Sequence, residues 1–151
     1  MAHTALRVGA RPDDVFDVLL DASAYPCWVV GARRLREVDP GWPAPGTRFH
    51  HAIGLGPFEL RDTTCMVDWV RPRCVALEAR FRPAGIAKVT ITVRPEGGAS
   101  VIEIDEQPLE GPVQGLWGRV LDEAVRLRNA ISLRRLGRLV DRRSTEAVRR
   151  A

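Results

Sequence analysis

From residue 33 to residue 107 apolar and polar side chains alternate with a period of two, and five clusters of turn-forming residues interrupt the alternation. The clusters are Asp39 to Gly46, Gly54 to Pro57, Arg71 to Arg73, Pro83 to Gly85 and Pro95 to Gly98, which leaves room for six successive strands. Connections this short join antiparallel neighbours, because a parallel pair needs a crossover of roughly a dozen residues or more. Within the meander, Val75, Leu77, Ala79 and Phe81 share a face opposite Cys74, Ala76, Glu78 and Arg80. In the same way Val89, Ile91 and Val93 oppose Lys88, Thr90, Thr92 and Arg94. One face of the sheet is therefore expected to be apolar and the other solvated.

Residues 3 to 9 alternate weakly and predict a strand ahead of the meander. Pro12 at a helix start, Asp13 and Asp14 in the first turn, and Val15, Phe16, Val18 and Leu19 then predict a short amphipathic helix. Pro26 interrupts that pattern, so Ser23 to Val29 reads as a second short helix or turn carrying Tyr25 and Trp28. Beyond Gly111 the helical period returns with Val113, Trp117, Val120, Ala124, Leu127 and Ile131, an apolar stripe of about five turns. A second stripe, Leu133, Leu136 and Val140, follows on roughly the opposite side, where something other than the sheet would have to cover it. A frayed end, a dimer contact or an acidic membrane surface are the alternatives for that stripe, and from Ser144 onward disorder is expected. Domain organisation is then a single domain over residues 1–143 and a tail over 144–151.

Together the elements make an α+β fold: a curved antiparallel sheet of six or seven strands wrapped around one long C-terminal helix, with two short helices after the first strand. A sheet with one apolar face and one helix to cover it curls around that helix, and the space left between them is where such folds place ligands.

Composition changes this picture little. At 151 residues, 45% apolar and 28% charged, the chain is of ordinary globular character and long enough to bury a core. No apolar run approaches the roughly 18 residues of a membrane span and the N-terminus lacks the features of a signal sequence, so a cytoplasmic protein is expected. Three cysteines without paired spacing, Cys27, Cys65 and Cys74, read as packing residues in a reducing compartment. With three histidines and no His/Cys cluster, neither a metal nor a cofactor is expected. The net charge of +4 rests on arginine, crowded into the last quarter with no aromatic after Trp117. That pattern reads as a solvated helix face and argues against DNA binding.

The segment Val8 through Val29, VGARPDDVFDVLLDASAYPCWV, resembles the opening of the START-like, helix-grip superfamily, in which a first strand leads into A-x-P-x-x-V-F-x-x-L-x-D and then a Tyr and a Trp. Ala10, Pro12, Val15, Phe16, Leu19, Asp21, Tyr25 and Trp28 match it. The later PAPGTRF and PEGGASVIEI segments are also similar, and the resemblance extends over about residues 3 to 143, its branch being the bacterial polyketide cyclase/dehydrase-like proteins. What it implies is the helix-grip fold and a small hydrophobic, lipid-like or polyketide-like ligand.

His51 shares strand parity with Phe49 and Ile53, so an inward apolar face turns its imidazole toward the cavity and His50 toward solvent. An imidazole there could serve as general acid or base, or orient a ligand carbonyl. The strand Phe58 to Val70 does not hold one parity, and a bulge near Asp62 to Thr64 would reconcile it. Glu78 and Arg80 read as a surface pair. Residues expected to contact ligand are Trp28, Phe49, His51, Ile53, Leu77, Ala79, Val89, Ile91, Ile102, Trp117, Val120 and Ala124. Three functions remain open: carriage of a hydrophobic molecule, a cyclase, aromatase or dehydratase reaction through His51, and a protein or RNA interaction module using the arginine-rich helix. The partners expected are the small ligand and, through the second stripe, another copy of the chain.

Overall fold

The computed structural model describes residues 1–81, 85–110 and 119–151, apart from the side chains of Leu55 and of 119–121. Its strands are β1 (Ala2–Val8), β2 (Ala32–Val38), β3 (Arg48–Leu55), β4 (Phe58–Val70), β5 (Cys74–Phe81), β6 (Gly85–Glu96) and β7 (Ala99–Glu110). Helices α1 (Pro12–Leu20) and α2 (Tyr25–Trp28) follow β1, with a 3₁₀ turn over Ala22–Ala24 between them, and α3 (Arg119–Arg150) ends the chain. Pro12 opens α1, with Asp13 and Asp14 in its positive first turn. Asp21 then stops it and caps the next turn by accepting from the Ser23 N–H at 3.0 Å.

All seven strands form one antiparallel sheet in the order β1-β7-β6-β5-β4-β3-β2. The meander runs β2 to β7 through successive hairpins, and β1 closes onto β7 with Leu6 opposite Ile102. One face is buried: Val75 and Leu77 of β5, Ile91 and Val93 of β6, and Ile102 and Ile104 of β7 join Val15 and Phe16 of α1 in a single apolar cluster. Each such side chain contributes about 1.5–3 kcal/mol on burial, which fixes the curl of the sheet around the helices.

The rotation of α3 differs from the expected one. Ala124 is exposed and Leu127 is 64% exposed, whereas Val125, Asn129, Ser132, Leu133, Leu136 and Val140 are buried. The second stripe is thus the core stripe, covered from within the chain by β1, α1 and α2, and it needs no second copy to bury it. Close approach to β1 is possible because Gly137 faces Val8: a Cβ there would stand 2.8 Å from Val8 Cγ1. The apolar reading failed because polar Asn129 and Ser132 occupy inward positions that other elements satisfy. Ser132 Oγ accepts from the Val30 N–H at 3.0 Å, and Asn129 Nδ2 donates to Glu106.

Two further expectations are corrected. In β4 the register shift lies between Met66 and Asp68, so Asp62, Thr64 and Met66 all turn inward by plain alternation and are buried. At the C-terminus α3 continues through 144–150, where Gly and Pro are absent and Thr145 Oγ1 bonds the Asp141 carbonyl at 2.9 Å. Of the cysteines, Cys27 is exposed rather than packed.

Candidate functional site

Between the inner face of β3–β7, helix α2 and α3 lies a cavity of about 290 Å³, near the lower end of the roughly 300–1,000 Å³ typical of ligand pockets. Its walls are mostly apolar. Leu77, Ala79, Val89 and Ile91 line it from β5 and β6, Ile53 from β3, Ile104 from β7, and Trp28 from α2. Strand alternation places the strand residues there, each at the inward parity of its strand.

One part of the wall is polar, formed by Tyr25, Thr64, Arg128, Asn129 and Ser132. Arg128 stands on the inward side of α3, and its Nη2 donates to Glu106 Oε2 at 2.6 Å. The Glu106 carboxylate, 2% exposed, lies at inward parity on β7 with Ile102 and Ile104. Asn129 completes the set, its Oδ1 accepting from Arg128 Nη2 at 3.0 Å and from Nε at 3.3 Å, and its Nδ2 donating to Glu106 Oε2 at 3.3 Å. The guanidinium also lies 5.6 Å from the centroid of the Phe81 ring. Nη1 of Arg128 makes no hydrogen bond among the described residues, so two N–H donors remain on a cavity-lining cation held in place by a buried counter-ion.

An aromatic cluster is built on Tyr25, whose ring centroid is 4.7 Å from Phe49, 5.0 Å from His51 and 5.9 Å from Trp28. Burial pushes the Tyr25 phenol above its ordinary value, opposed by Arg128 and by a hydrogen bond with Thr64, so it stays a neutral donor. His51 is fully buried and pairs through Nε2 with Thr64 Oγ1 at 3.0 Å, while Nδ1 has no partner among the described residues. Desolvation, with a smaller contribution from His50, lowers its pKa to about 4 and leaves the imidazole neutral at pH 7.

Of the residues expected to contact ligand, Trp28, Ile53, Leu77, Ala79, Val89 and Ile91 line the cavity. Phe49, His51 and Ile102 are buried behind the wall, with His51 meeting it through its hydrogen bond to Thr64 and its ring contact with Tyr25. Ala124 points to solvent, because α3 is rotated as described above. Trp117 lies outside the described residues, as does the side chain of Val120. Sequence reasoning missed Glu106, Arg128 and Asn129. The legible signal was Glu106 itself, a carboxylate at the inward parity of an otherwise apolar strand, which requires a buried cationic or amide partner.

A family model described as polyketide cyclase / dehydrase and lipid transport matches residues 2–141. No curated protein matches the chain. Among solved structures, protein CV1439 from Chromobacterium violaceum is 19% identical with a TM-score of 0.69, over 93% of this chain and 98% of that one. The di-domain ARO/CYC StfQ from the steffimycin biosynthetic pathway is 13% identical with a TM-score of 0.72, over 95% of this chain and 51% of that one. Ara h 8.0201 is 11% identical with a TM-score of 0.71, over 91% and 95% of the two chains. These likenesses establish the fold. Among the described residues no helix is long and apolar enough to cross a membrane.

Proposed function

Because the chain belongs to the polyketide cyclase / dehydrase and lipid transport family, we propose that it binds a compact, largely apolar molecule carrying one oxygen-rich end in the cavity between sheet and α3. The observation that supports this most directly is the asymmetry of the wall. Apolar side chains surround most of the cavity, and Arg128 offers the unused donors of Nη1 at one place. A carbonyl, enolate or carboxylate would pair there, with the Tyr25 hydroxyl beside it, while the hydrocarbon body would lie against Leu77, Val89 and Ile91. Glu106 holds the guanidinium in position before the ligand arrives, so little ordering entropy is lost on binding.

An apolar fluorophore with one anionic group, such as anilinonaphthalene sulfonate, tests the reading. Saturable 1:1 binding is expected, and Ala79→Leu, which fills the cavity from the β5 wall without adding polarity, should abolish it while the protein stays folded. Ile91→Arg should do the same by placing a charge in the apolar wall. Binding that persists unchanged in a folded Ala79→Leu protein would defeat the assignment.

A second reading, catalysis of cyclisation or dehydration, draws support from the Thr64–His51 hydrogen bond, which connects the cavity wall to an imidazole. Since that imidazole is neutral at pH 7, its available role is that of a base acting through Thr64, with proton donation as imidazolium confined to acid. Turnover of a polyketide-like substrate that survives His51→Ala would remove this mechanism.

A further inference from the structure

The outer face of the sheet, opposite the cavity, holds a recess of about 590 Å³ with a different chemistry. Arg36 of β2, Arg48 of β3, Arg61 of β4 and Arg80 of β5 all line it. Each is exposed, and among the described residues none forms an ion pair. Of the carboxylates nearby, Glu59, whose charge Arg61 feels, is bonded to Arg34 at 2.6 Å, and Glu78, which lines the recess, stands opposite Lys88 in the β5–β6 register. The floor is polar as well. His50 and Thr63, cross-strand neighbours, are joined at 3.0 Å, and the buried Asp62 lies at its edge. Ala52 shares this face by register with Arg34 and Arg61 and is fully buried, as expected where long side chains of the face lie over a small one.

Four guanidiniums that line one recess and form no ion pair among the described residues repel one another. From these observations we propose that the recess is a binding site for an oligophosphate, an anion with two or more linked phosphate groups. Guanidinium forks match phosphate oxygens bidentately. The four arginines come from four adjacent strands, and at about 4.8 Å between strands their Cα positions spread over roughly 14 Å. One phosphate engages two of them, whereas a chain of phosphates reaches all four. A concave site favours a small polyanion over a flat anionic surface, and it is independent of the cavity on the other face.

Calorimetric titration with sodium tripolyphosphate, pyrophosphate, orthophosphate and sulfate at one ionic strength tests this. Tripolyphosphate and pyrophosphate should bind 1:1 and at least about tenfold more tightly than orthophosphate or sulfate. The double variant Arg61→Gln/Arg80→Gln, which removes two charges and keeps polar side chains, should weaken tripolyphosphate binding on the order of a hundredfold, about tenfold per guanidinium. Its thermal midpoint and its fluorophore binding in the cavity should be unchanged; Arg36→Gln/Arg48→Gln provides an independent pair should the first fail to fold. ADP against pyrophosphate separates the sources: equal affinity assigns the site to phosphates alone, and tighter ADP binding adds a nucleoside contact. Equal affinity for orthophosphate and tripolyphosphate would overturn the proposal. So would an equal loss in the control Arg135→Gln/Arg138→Gln on α3, or binding to phosphatidylglycerol vesicles without any to oligophosphate.

Discussion

Arg128 and Glu106 meet at 2.6 Å with the carboxylate 2% exposed and the guanidinium 29% exposed, an ion pair that is dry at one end and faces the cavity at the other. The pair is therefore unequal in what each partner loses when the other is removed. Arg128→Met strands a carboxylate inside the protein with, among the described residues, only Asn129 to bond it, and is expected to cost about 3–5 kcal/mol of stability. Glu106→Gln should cost less, since the cation keeps Asn129 and some contact with solvent. The double variant should recover much of the loss, because no unpaired charge remains. Urea unfolding of the four proteins in a double-mutant cycle measures this, and additive losses would show that the two side chains do not act as a unit.

Stability should also depend on pH through His51. Its pKa is about 4 in the fold against an ordinary 6.5, so between those values the unfolded chain takes up a proton that the native chain does not. The stabilisation is complete above pH 6.5 and is lost as pH falls toward 4, by an amount on the order of 2–3 kcal/mol. His51→Gln retains an amide to meet Thr64 and cannot titrate, so its stability should be flatter across that window. Matching slopes for the two proteins in pH-dependent urea unfolding would assign the effect to other groups.

Gly137 lets α3 close on β1. Alanine there gains helix propensity worth about 1 kcal/mol, but its Cβ would stand 2.8 Å from Val8 Cγ1, a stiff β-branched side chain buried in the core. Overpacking of this kind costs about 1–3 kcal/mol. Gly137→Ala is thus expected to lower the thermal midpoint, and combining it with Val8→Ala should restore part of the loss by making room. A midpoint raised by Gly137→Ala alone would mean that the helix and strand can separate at no cost.

Much of the architecture was legible along the chain because alternation in a strand is a direct record of which side faces the core. The six-strand meander, the first strand, and the inward parity of Ile53, Leu77, Ala79, Val89 and Ile91 all follow from period two and turn chemistry. The helix was less legible. Ala124, Leu127 and Ile131 make a better apolar stripe than the mixed row Val125, Asn129 and Ser132, yet the mixed row faces inward. In β4 a bulge expected near Asp62 to Thr64 lies instead between Met66 and Asp68, and alternation with Met66 alone places Asp62 and Thr64 inside.

The sequence by itself determined the order and type of the elements, the apolar face of the sheet and the family, since each depends on short-range periodicity or a local motif. Tertiary structure alone decided the rotation of α3 and the polar end of the cavity. A buried Glu, Arg or Asn is tolerated only where a partner distant in the chain meets it. Glu106 and Arg128 stand 22 residues apart, and no local pattern records that meeting.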